Sequence, residues 1–158
     1  MQTITPFLWF ADVAEDAMNF YVSIFPNSKV NMVTRYGDAG PGPKGSVMTA
    51  SFQLNGQSFT ALNGGPHFSF NPAVSFVVPC DSQAEIDHYW EKLGAGGDPS
   101  AQQCGWLKDK YGLSWQIVPS VLSELVKGDP ARSNRVMEAL LPMKKLDIAT
   151  LERAAGQA

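Results

Sequence analysis

The sequence predicts an α+β fold in which one strand–helix–strand unit occurs twice. A constant shift of 69 residues places the apolar positions of one helical segment onto those of a second, Phe20 onto Tyr89 and Ile24 onto Leu93. Short alternating segments flank both helices, as strands do. From Gly45 to Cys80 the chain has no Asp, Glu, Lys or Arg, which is typical of consecutive strands with both faces covered.

The two helical segments share their start signals. The first, "VAEDAMNFYVSIF", follows Asp12, and the second, "SQAEIDHYWEKL", follows Asp81. Asp12 with Glu15 and Ser82 with Glu85 have the spacing of N-terminal capping pairs. Pro26-Asn27 and a glycine-rich stretch end the two helices.

Strands are predicted around each helix. "TITPFLWF" and "PAVSFVV" precede the helices, "SKVNMVTRY", "SVMTASFQL" and "QSFTALNGG" follow the first, and "AQQCGWLKDK" and "LSWQIVPS" follow the second. Asn55-Gly56 and Tyr111-Gly112 predict tight hairpin turns. The segment "GDAGPGPKG" is either a lid over a site or a long hairpin loop.

A change in composition after Pro119 sets the expected boundaries. Residues 1–119 form a single domain, with module one at about 1–66 and module two at about 70–119, and residues 120–158 form a C-terminal tail. The tail contains three short helices, broken at Gly128-Asp129-Pro130 and at Pro142. It carries no site-like residues, so an accessory or dimer-stabilising role is expected.

Composition excludes several classes of partner. With 12 Lys and Arg against 15 Asp and Glu, the net charge of −3 gives no basic footprint for nucleic acid. No apolar run is long enough to span a bilayer, and the start of the chain lacks the cationic region of a signal peptide. Cys80 and Cys104 lie outside any CxxC spacing and indicate reduced thiols in a cytoplasmic protein, although their spacing leaves a disulfide open.

Strand alternation predicts which side chains face a cleft. Ile4, Leu8 and Phe10 are expected beneath the first helix. The faces turned away from the helices are then expected to carry Thr5, Trp9, Asn63, Ser75 and Gln116. An apolar cleft with a few neutral polar groups is typical of a site for a small molecule.

The segment "ALNGGPHFSFNP" adds a turn at the end of a strand in this cleft. Gly64 and Gly65 allow the backbone to approach a ligand closely. We expect His67 and Phe68 to lie over the opening, opposite Trp9. His67 is the best candidate for chemistry, because imidazole acts as acid, base or hydrogen-bond partner near neutral pH. A lone histidine between aromatic residues in a loop is more often packed structure, and contact with a ligand is a simpler role for it than catalysis.

A second candidate segment is "CGWLKDKYG". Trp106 is expected to stack on a ring, while Lys108 or Lys110 holds an anionic group. The alternative is a solvated hairpin with alternating charges. Cys104 has no base partner in the sequence around it, which argues against a nucleophile.

These segments resemble a known family. "FYVSIFPNS", "ALNGGPHFSFN", "CGWLKDKYGLSWQIVP" and "MKKLDI" resemble the PhnB-like branch of the vicinal oxygen chelate superfamily, which includes glyoxalase I, extradiol dioxygenases and bleomycin-resistance proteins. Domains of this branch often bear the label 3-demethylubiquinone-9 3-methyltransferase. The resemblance implies two βαβββ modules, an eight-stranded incomplete barrel around a cleft, and a homodimer.

The residues at the superfamily's metal-binding positions predict no metal. Laid onto this chain, those four positions are Thr5, Ala61, Ser75 and Gln116, none of which is a strong ligand for a transition metal. No glycine-rich strand-to-helix turn of the nucleotide-binding kind is present either. No cofactor is therefore predicted.

Three classes of function follow. The first is a metal-free protein that binds a small aromatic or quinone-like molecule in the cleft. The second is an enzyme, either the methyltransferase of the family label or a metal-dependent isomerase or dioxygenase. The third is a dimeric interaction module with a vestigial cleft. The missing metal ligands favour the first class over the second, the neutral polar set favours it over the third, and catalysis itself stays open.

Overall fold

The computed structural model describes residues 2–156, which fold as an α+β chain with one sheet in each of two units. The first unit ends at Ser69 and the second begins at Phe70. The α+β class that periodicity predicts is confirmed. The division into a domain of residues 1–119 and a tail of residues 120–158 stays a prediction.

The first unit contains four strands and one helix. Its elements, in chain order, are β1 (Phe7–Phe10), α1 (Ala14–Ile24), β2 (Lys29–Arg35), β3 (Val47–Leu54) and β4 (Gln57–Asn63). The sheet order is β1-β4-β3-β2, with β1 parallel to β4 and the other neighbours antiparallel. The hairpin predicted at Asn55-Gly56 is confirmed, since both residues have positive φ and join β3 to β4.

Helix α1 covers one face of this sheet. Tyr21 of α1 stacks on Phe52 of β3, which stacks in turn on Phe59 of β4. Leu8 and Phe10 are buried as predicted. Ile4 is not, because it precedes β1 and is 96% exposed.

The two faces of β4 differ from the sequence-based assignment. Phe59 and Ala61 are buried on the face that α1 covers, and Asn63 shares that face. Ser58, Thr60 and Leu62 face away from the helix. The prediction that Asn63 faces away from the helices is therefore wrong. Neither face carries a charge, so the apolar Phe59 and Ala61 take the buried side.

The second unit repeats the plan with fewer strands. Its sheet contains β5 (Ser75–Cys80), β6 (Trp106–Lys108) and β7 (Ser114–Pro119), and its first helix is α2 (Gln83–Gly94). The order is β5-β7-β6, with β5 parallel to β7. A shift of 69 residues moves the bounds of α1 onto residues 83–93, which confirms the repeat.

The described residues form seven strands, one fewer than the eight that the resemblance implies. Cys104 (φ 52°) and Gly105 (φ 86°) form a two-residue turn, and Gln103 makes only an isolated bridge to Trp106. Pro99–Ala101 is a 3₁₀ turn. The segment ahead of β6 is therefore too short for a further strand.

The predicted cap of α2 is confirmed and that of α1 is wrong. The Ser82 hydroxyl accepts a hydrogen bond from the Glu85 N–H at 3.2 Å. At α1 the N-cap is Val13, which has no side-chain acceptor. Asn63 of β4 supplies one instead, because its Oδ1 accepts a hydrogen bond from the Ala14 N–H at 2.8 Å.

Three helices complete the second unit, as predicted. They are α3 (Leu122–Leu125), α4 (Pro130–Leu140) and α5 (Ile148–Gly156), and they share a buried cluster with Leu146. Gln83 of α2 donates to the Leu146 carbonyl at 3.0 Å and accepts from the Ile148 N–H at 2.9 Å, which fastens this segment to α2. Across residues 2–156, no helix combines the length and apolar character that a membrane span requires.

Candidate functional site

The face of the first sheet opposite α1 carries no charge on its two central rows of side chains. Strand register places Trp9, Leu62, Thr49 and Thr34 in one row, and Phe7, Thr60, Ser51 and Met32 in the next. We call these two rows the neutral face. Phe7 and Met32 are exposed, and the other six residues are partly buried. Two aromatic rings therefore border a strip of hydroxyl groups.

Most of these hydroxyls are already hydrogen-bonded within the sheet. Thr34 Oγ1 and Thr49 Oγ1 lie 2.5 Å apart, and Ser51 Oγ donates to the Met32 carbonyl at 3.4 Å. Within residues 2–156 the Thr60 hydroxyl has no such partner. It lies beside Phe7 in the strand register, where it can donate to or accept from a bound molecule.

Trp9 is held in a fixed position on this face. Its Nε1 donates a hydrogen bond to the Gly65 carbonyl at 2.9 Å. Phe68 meets the indole edge to face, with ring centroids 5.0 Å apart. Both contacts come from the turn after β4, so the sequence-predicted Trp9 and Phe68 are brought together, in contact with each other.

Two backbone hydrogen bonds tie this turn to the end of β1. The Gly64 N–H donates to the Phe10 carbonyl at 2.9 Å and the Gly65 N–H to the Ala11 carbonyl at 3.1 Å. Gly65 has φ +90°, in the left-handed region that favours glycine. The turn therefore extends the β1–β4 pairing by two residues before the chain leaves the sheet.

A cavity of about 610 Å³ lies at the end of the sheet, within the first unit. Three segments line it: the start of α1 with the residues before it, the loop from Tyr36 to Val47, and the turn after β4. The lining residues are Ala11, Asp12, Glu15, Asp16, Tyr36, Pro41, Gly42, Pro43, Ser46, Val47, Asn63, Gly64, Gly65, Pro66 and His67. Of the predicted site residues, Asn63, Gly64, Gly65 and His67 line it, while Trp9 and Phe68 do not.

The cavity wall formed by α1 is negative. Asp12, Glu15 and Asp16 line it, and in the part of the chain that the structure describes none of them forms a salt bridge. A helix N-terminus favours carboxylates through its dipole, which is reason enough for acidic residues at this position. The cavity is consequently ill suited to an anionic ligand.

The loop from Tyr36 to Val47 forms a wall of the cavity. Its ends pair through the Tyr36 N–H to the Ser46 carbonyl at 2.9 Å and the Gly45 N–H to the Tyr36 carbonyl at 2.8 Å. Gly40 and Gly42 lie against the Tyr36 ring, where a side chain would collide with it. The loop predicted as either a lid or a long hairpin connection is thus anchored at both ends.

Asn63 has a structural role at the edge of this cavity. Its side-chain Oδ1 caps α1, and its side-chain Nδ2 donates to the Val47 carbonyl at 3.1 Å. Its backbone carbonyl accepts from the Tyr36 hydroxyl at 2.5 Å. The amide therefore links α1, β3 and β4. Because both of its ends are used in this way, the side chain is not available to a ligand without breaking a contact.

His67 and Thr5 are both exposed. His67 lies at the rim of the cavity, and Thr5 lies ahead of β1. Ala61, at one superfamily metal position, is fully buried under α1. Among residues 2–156, no three His, Cys, Asp or Glu side chains come together in a way that could hold a metal ion.

The second unit brings together the two predicted residues of β5 and β7. Gln116 Nε2 donates to Ser75 Oγ at 2.9 Å. Trp106 lies opposite Gln116 in the register of β6 and β7, and Lys108 lies opposite Ser114. The Gln116 amide and the Ser75 hydroxyl are thus hydrogen-bonded to each other, next to the partly buried indole of Trp106.

Asp109, at the end of β6, was not singled out by the sequence. It is 2% exposed, and its carboxylate accepts hydrogen bonds from two backbone N–H groups of the hairpin and from Trp115 Nε1. The hairpin with alternating charges is therefore built around a buried carboxylate. The available signal in the sequence was "DKYG", in which an Asp is soon followed by a glycine. This pattern indicates a turn in which the Asp carboxylate accepts hydrogen bonds from backbone N–H groups.

The two cysteines lie in different surroundings, Cys80 buried and Cys104 partly buried. Burial, followed by the nearby Glu85 and Asp81 carboxylates, raises the pKa of Cys80 to about 12. Cys104 Sγ lies 3.1 Å from the Leu141 carbonyl, to which it donates. Both cysteines are free thiols, so the disulfide that the spacing left open does not form.

Comparison with known proteins identifies similar chains. Residues 2–118 match the family described as 3-demethylubiquinone-9 3-methyltransferase. A PhnB protein from Bacillus cereus is 42% identical with a TM-score of 0.65, over 75% of this chain and 99% of that protein. No curated protein matches the chain. The three C-terminal helices and the "MKKLDI" segment lie beyond the residues that the family matches.

Two solved structures of lower identity share the fold. A protein from Pseudomonas aeruginosa is 20% identical with a TM-score of 0.60, over 75% of this chain and 98% of that one. The fosfomycin resistance protein FosX from Listeria monocytogenes is 15% identical with a TM-score of 0.56, over 80% and 98%. These likenesses concern the fold alone, and they agree with the α+β class.

Proposed function

The chain belongs to the PhnB-like 3-demethylubiquinone-9 3-methyltransferase family, and from this premise we propose that it binds a small aromatic or quinone-like molecule without a metal ion. The ligand lies on the neutral face of the first unit. Its ring stacks on the Trp9 indole, and one of its oxygens accepts a hydrogen bond from the Thr60 hydroxyl.

The observation that carries the proposal is a charge-free face with one fixed indole and one free hydroxyl. A charged ligand would lose hydration there without gaining a countercharge. A flat uncharged ring loses little and gains the stacking contact. Trp9 pairs with Leu62, two positions beyond Thr60 on β4, so the strand positions of Trp9 and Thr60 lie about 7 Å apart. The indole extends from there to Gly64 and Gly65, so a ligand that stacks on it must also span Leu62 to reach the hydroxyl.

Calorimetric titration with 2,3-dimethyl-1,4-naphthoquinone tests the proposal. Both carbons of this quinone to which a thiol would add carry methyl groups, so covalent reaction with cysteine does not interfere. We expect Trp9→Ala to weaken binding about tenfold, equivalent to about 1.4 kcal/mol. Thr60→Val removes one neutral hydrogen bond and should weaken binding about fivefold. Thr34→Val is the matched control, since the Thr34 hydroxyl already bonds Thr49 on the same face.

The charge of the ligand provides an independent check. The anion 1-naphthoate has a ring system of the same size and should bind at least about tenfold more weakly than the quinone, since neither row of the neutral face carries a cation. Equal affinity for the two compounds, or an unchanged affinity in Trp9→Ala, would contradict binding on the neutral face.

His67 tests where the ligand lies. His67 borders the cavity and not the neutral face, so His67→Ala should leave the affinity for the quinone within about twofold of the wild type. Because the side chain is exposed, the same change should lower stability by less than about 1 kcal/mol. A tenfold loss of affinity in His67→Ala would instead indicate that the ligand lies in the cavity, on the other side of the turn after β4.

Catalysis is tested with the same protein. Titration with S-adenosylmethionine, followed by incubation with S-adenosylmethionine and a hydroxyquinone and analysis for the methylated product, examines the methyltransferase of the family label. The turn Asn63–Pro66 precedes a loop and β5 instead of a helix, so it lacks the strand-to-helix geometry of a nucleotide-binding turn. We therefore expect neither saturable binding nor methylated product.

We also propose a homodimer. Within the first unit β1 and β2 are the outer strands of the sheet, and their outer edges present backbone groups that can pair with a second copy. Sedimentation at micromolar concentration should show about twice the chain mass of 17.1 kDa. A stable monomer would overturn this assignment, while a dimer that binds none of the probes would favour an interaction module.

A further inference from the structure

The indole of Trp9 lies where a side chain on Gly64 would otherwise be. A Cβ atom built on Gly64 would come well under 3.0 Å from three atoms of the six-membered ring, Cε2, Cζ2 and Cη2. Real Cβ atoms essentially never approach a neighbour so closely, so the ring would have to move. The missing side chain at position 64 thus makes the space that the indole fills.

Backbone conformation does not explain this glycine. Gly65 has φ +90° and needs glycine for that reason, but Gly64 is not among the residues with positive φ. The backbone of Gly64 therefore does not call for glycine through a left-handed φ. The three atoms nearest to a Cβ at this position all belong to the Trp9 ring, which is thus the first obstacle to a side chain.

The other contacts of Trp9 leave few ways for the ring to adjust. The indole N–H donates a hydrogen bond to the Gly65 carbonyl at 2.9 Å. The Phe68 ring contacts the indole, with ring centroids 5.0 Å apart. An indole pushed off Gly64 would lose the first contact and disturb the second. The ring also has no N–H left for a ligand, so a ligand is recognised by stacking.

We propose that Gly64 is a positioning residue for ligand binding, which acts through the orientation of the Trp9 indole. This inference rests on the proposed function, in which the ligand stacks on Trp9. Gly64 sets the tilt of the ring and so decides which flat molecules fit between the indole and Thr60. A side chain at this position would change the tilt without touching the ligand.

Gly64→Ala tests the inference by two measurements. The four tryptophans give four indole N–H signals in a ¹H–¹⁵N spectrum, and Trp9→Phe assigns the signal of Trp9. In Gly64→Ala this signal should shift and exchange with solvent at least about tenfold faster, because its hydrogen bond to Gly65 is strained or lost. The signal of Trp115, which bonds the Asp109 carboxylate, should stay in place.

Affinity for 2,3-dimethyl-1,4-naphthoquinone is the second measurement. We expect a loss of about tenfold in Gly64→Ala, similar to the loss in Trp9→Ala. Gly56→Ala is the matched control, because Gly56 has φ +83° in a hairpin of the same sheet, and a Cβ atom there would meet only Asn27 Nδ2, at an ordinary contact distance of 3.9 Å. It should lower the melting temperature while leaving the Trp9 signal and the affinity unchanged.

A double-variant cycle separates an effect through Trp9 from general damage. In a Trp9→Leu background, adding Gly64→Ala should cause no further loss of affinity, because no indole remains to be displaced. If Gly64→Ala alone does not fold, the double variant should recover folding. A double variant that is also unfolded would overturn the inference.

The inference and the proposed function fail in different ways. If Trp9→Ala weakens quinone binding but Gly64→Ala changes neither the Trp9 signal nor the affinity, Gly64 has no positioning role and the proposed function stands. If Trp9→Ala leaves the affinity unchanged, the proposed function itself is wrong. A shifted Trp9 signal with wild-type affinity would reduce Gly64 to a packing role and overturn the inference.

Discussion

Replacing Asp109 by alanine removes a buried carboxylate that holds the β6–β7 hairpin together. Oδ1 of Asp109 accepts hydrogen bonds from the N–H groups of Tyr111 at 2.8 Å and Leu113 at 3.1 Å. Oδ2 accepts a third from Trp115 Nε1 at 2.9 Å. The residue is 2% exposed, so water cannot replace all of these contacts in a variant.

The magnitude follows from the donors that lose their acceptor. An unpaired buried donor costs about 1–3 kcal/mol. The N–H groups of Leu113 and Trp115 are buried, while that of Tyr111 is partly buried and can reach solvent. We therefore expect Asp109→Ala to lower the free energy of unfolding by about 2–6 kcal/mol, the sum for the two buried donors. Asp109→Asn keeps the two bonds at Oδ1 but turns an N–H group toward the Trp115 donor, for a loss of about 1–3 kcal/mol.

Urea unfolding at neutral pH, followed by circular dichroism, measures both losses. Lys110→Ala is the matched control, because Lys110 is the exposed neighbour of Asp109 and should cost less than about 1 kcal/mol. In a Trp115→Phe background, Asp109→Asn should lower the free energy of unfolding by less than it does in the wild type, because the indole donor is gone. A loss below about 1 kcal/mol in Asp109→Ala would refute this account of the hairpin.

Three further predictions concern other parts of the fold. Asn63→Ala removes the acceptor for α1 and the donor to β3 and should cost about 2–3 kcal/mol in thermal unfolding, whereas Asn63→Asp retains the acceptor and should cost less. The hydrogen bond from Lys145, followed by one from Gln83, holds the pKa of Asp87 below its usual 3.8, so this pair stabilises the fold above that pH. The difference in Tm between wild type and Lys145→Ala should vanish as pH falls through the lowered pKa, and a difference that persists there would contradict the pairing. A thiol reagent at mild alkaline pH should modify Cys104 but not Cys80, whose pKa is raised to about 12, and labelling of both in the native protein would contradict its burial.

Periodicity and turn chemistry by themselves determined the elements of this chain. The shift that relates Phe20 to Tyr89 predicts two equivalent helices, and the structure has both at the expected bounds. Asn55-Gly56 predicts the hairpin because both residues tolerate positive φ. These signals are local, since helical spacing and turn conformation depend on neighbours along the chain.

The faces of the first sheet needed the tertiary structure. Alternation shows that Phe59, Ala61 and Asn63 share one face, but it does not say which face α1 covers when neither carries a charge. Alternation alone therefore predicts a cleft position for Asn63, whereas its side chain caps α1 from β4. Thr60, on the opposite face, was overlooked for the same reason.

Contacts between distant segments decided the remaining features. Gly64 is separated by 55 positions from Trp9, whose ring occupies the space beside it. Asp109 lies between two lysines and is buried nonetheless, because three donors converge on it once the hairpin closes. Sequence spacing determines which side chains share a face, whereas the occupant of the space beside a residue depends on how the strands pair, and pairing is a property of the folded chain.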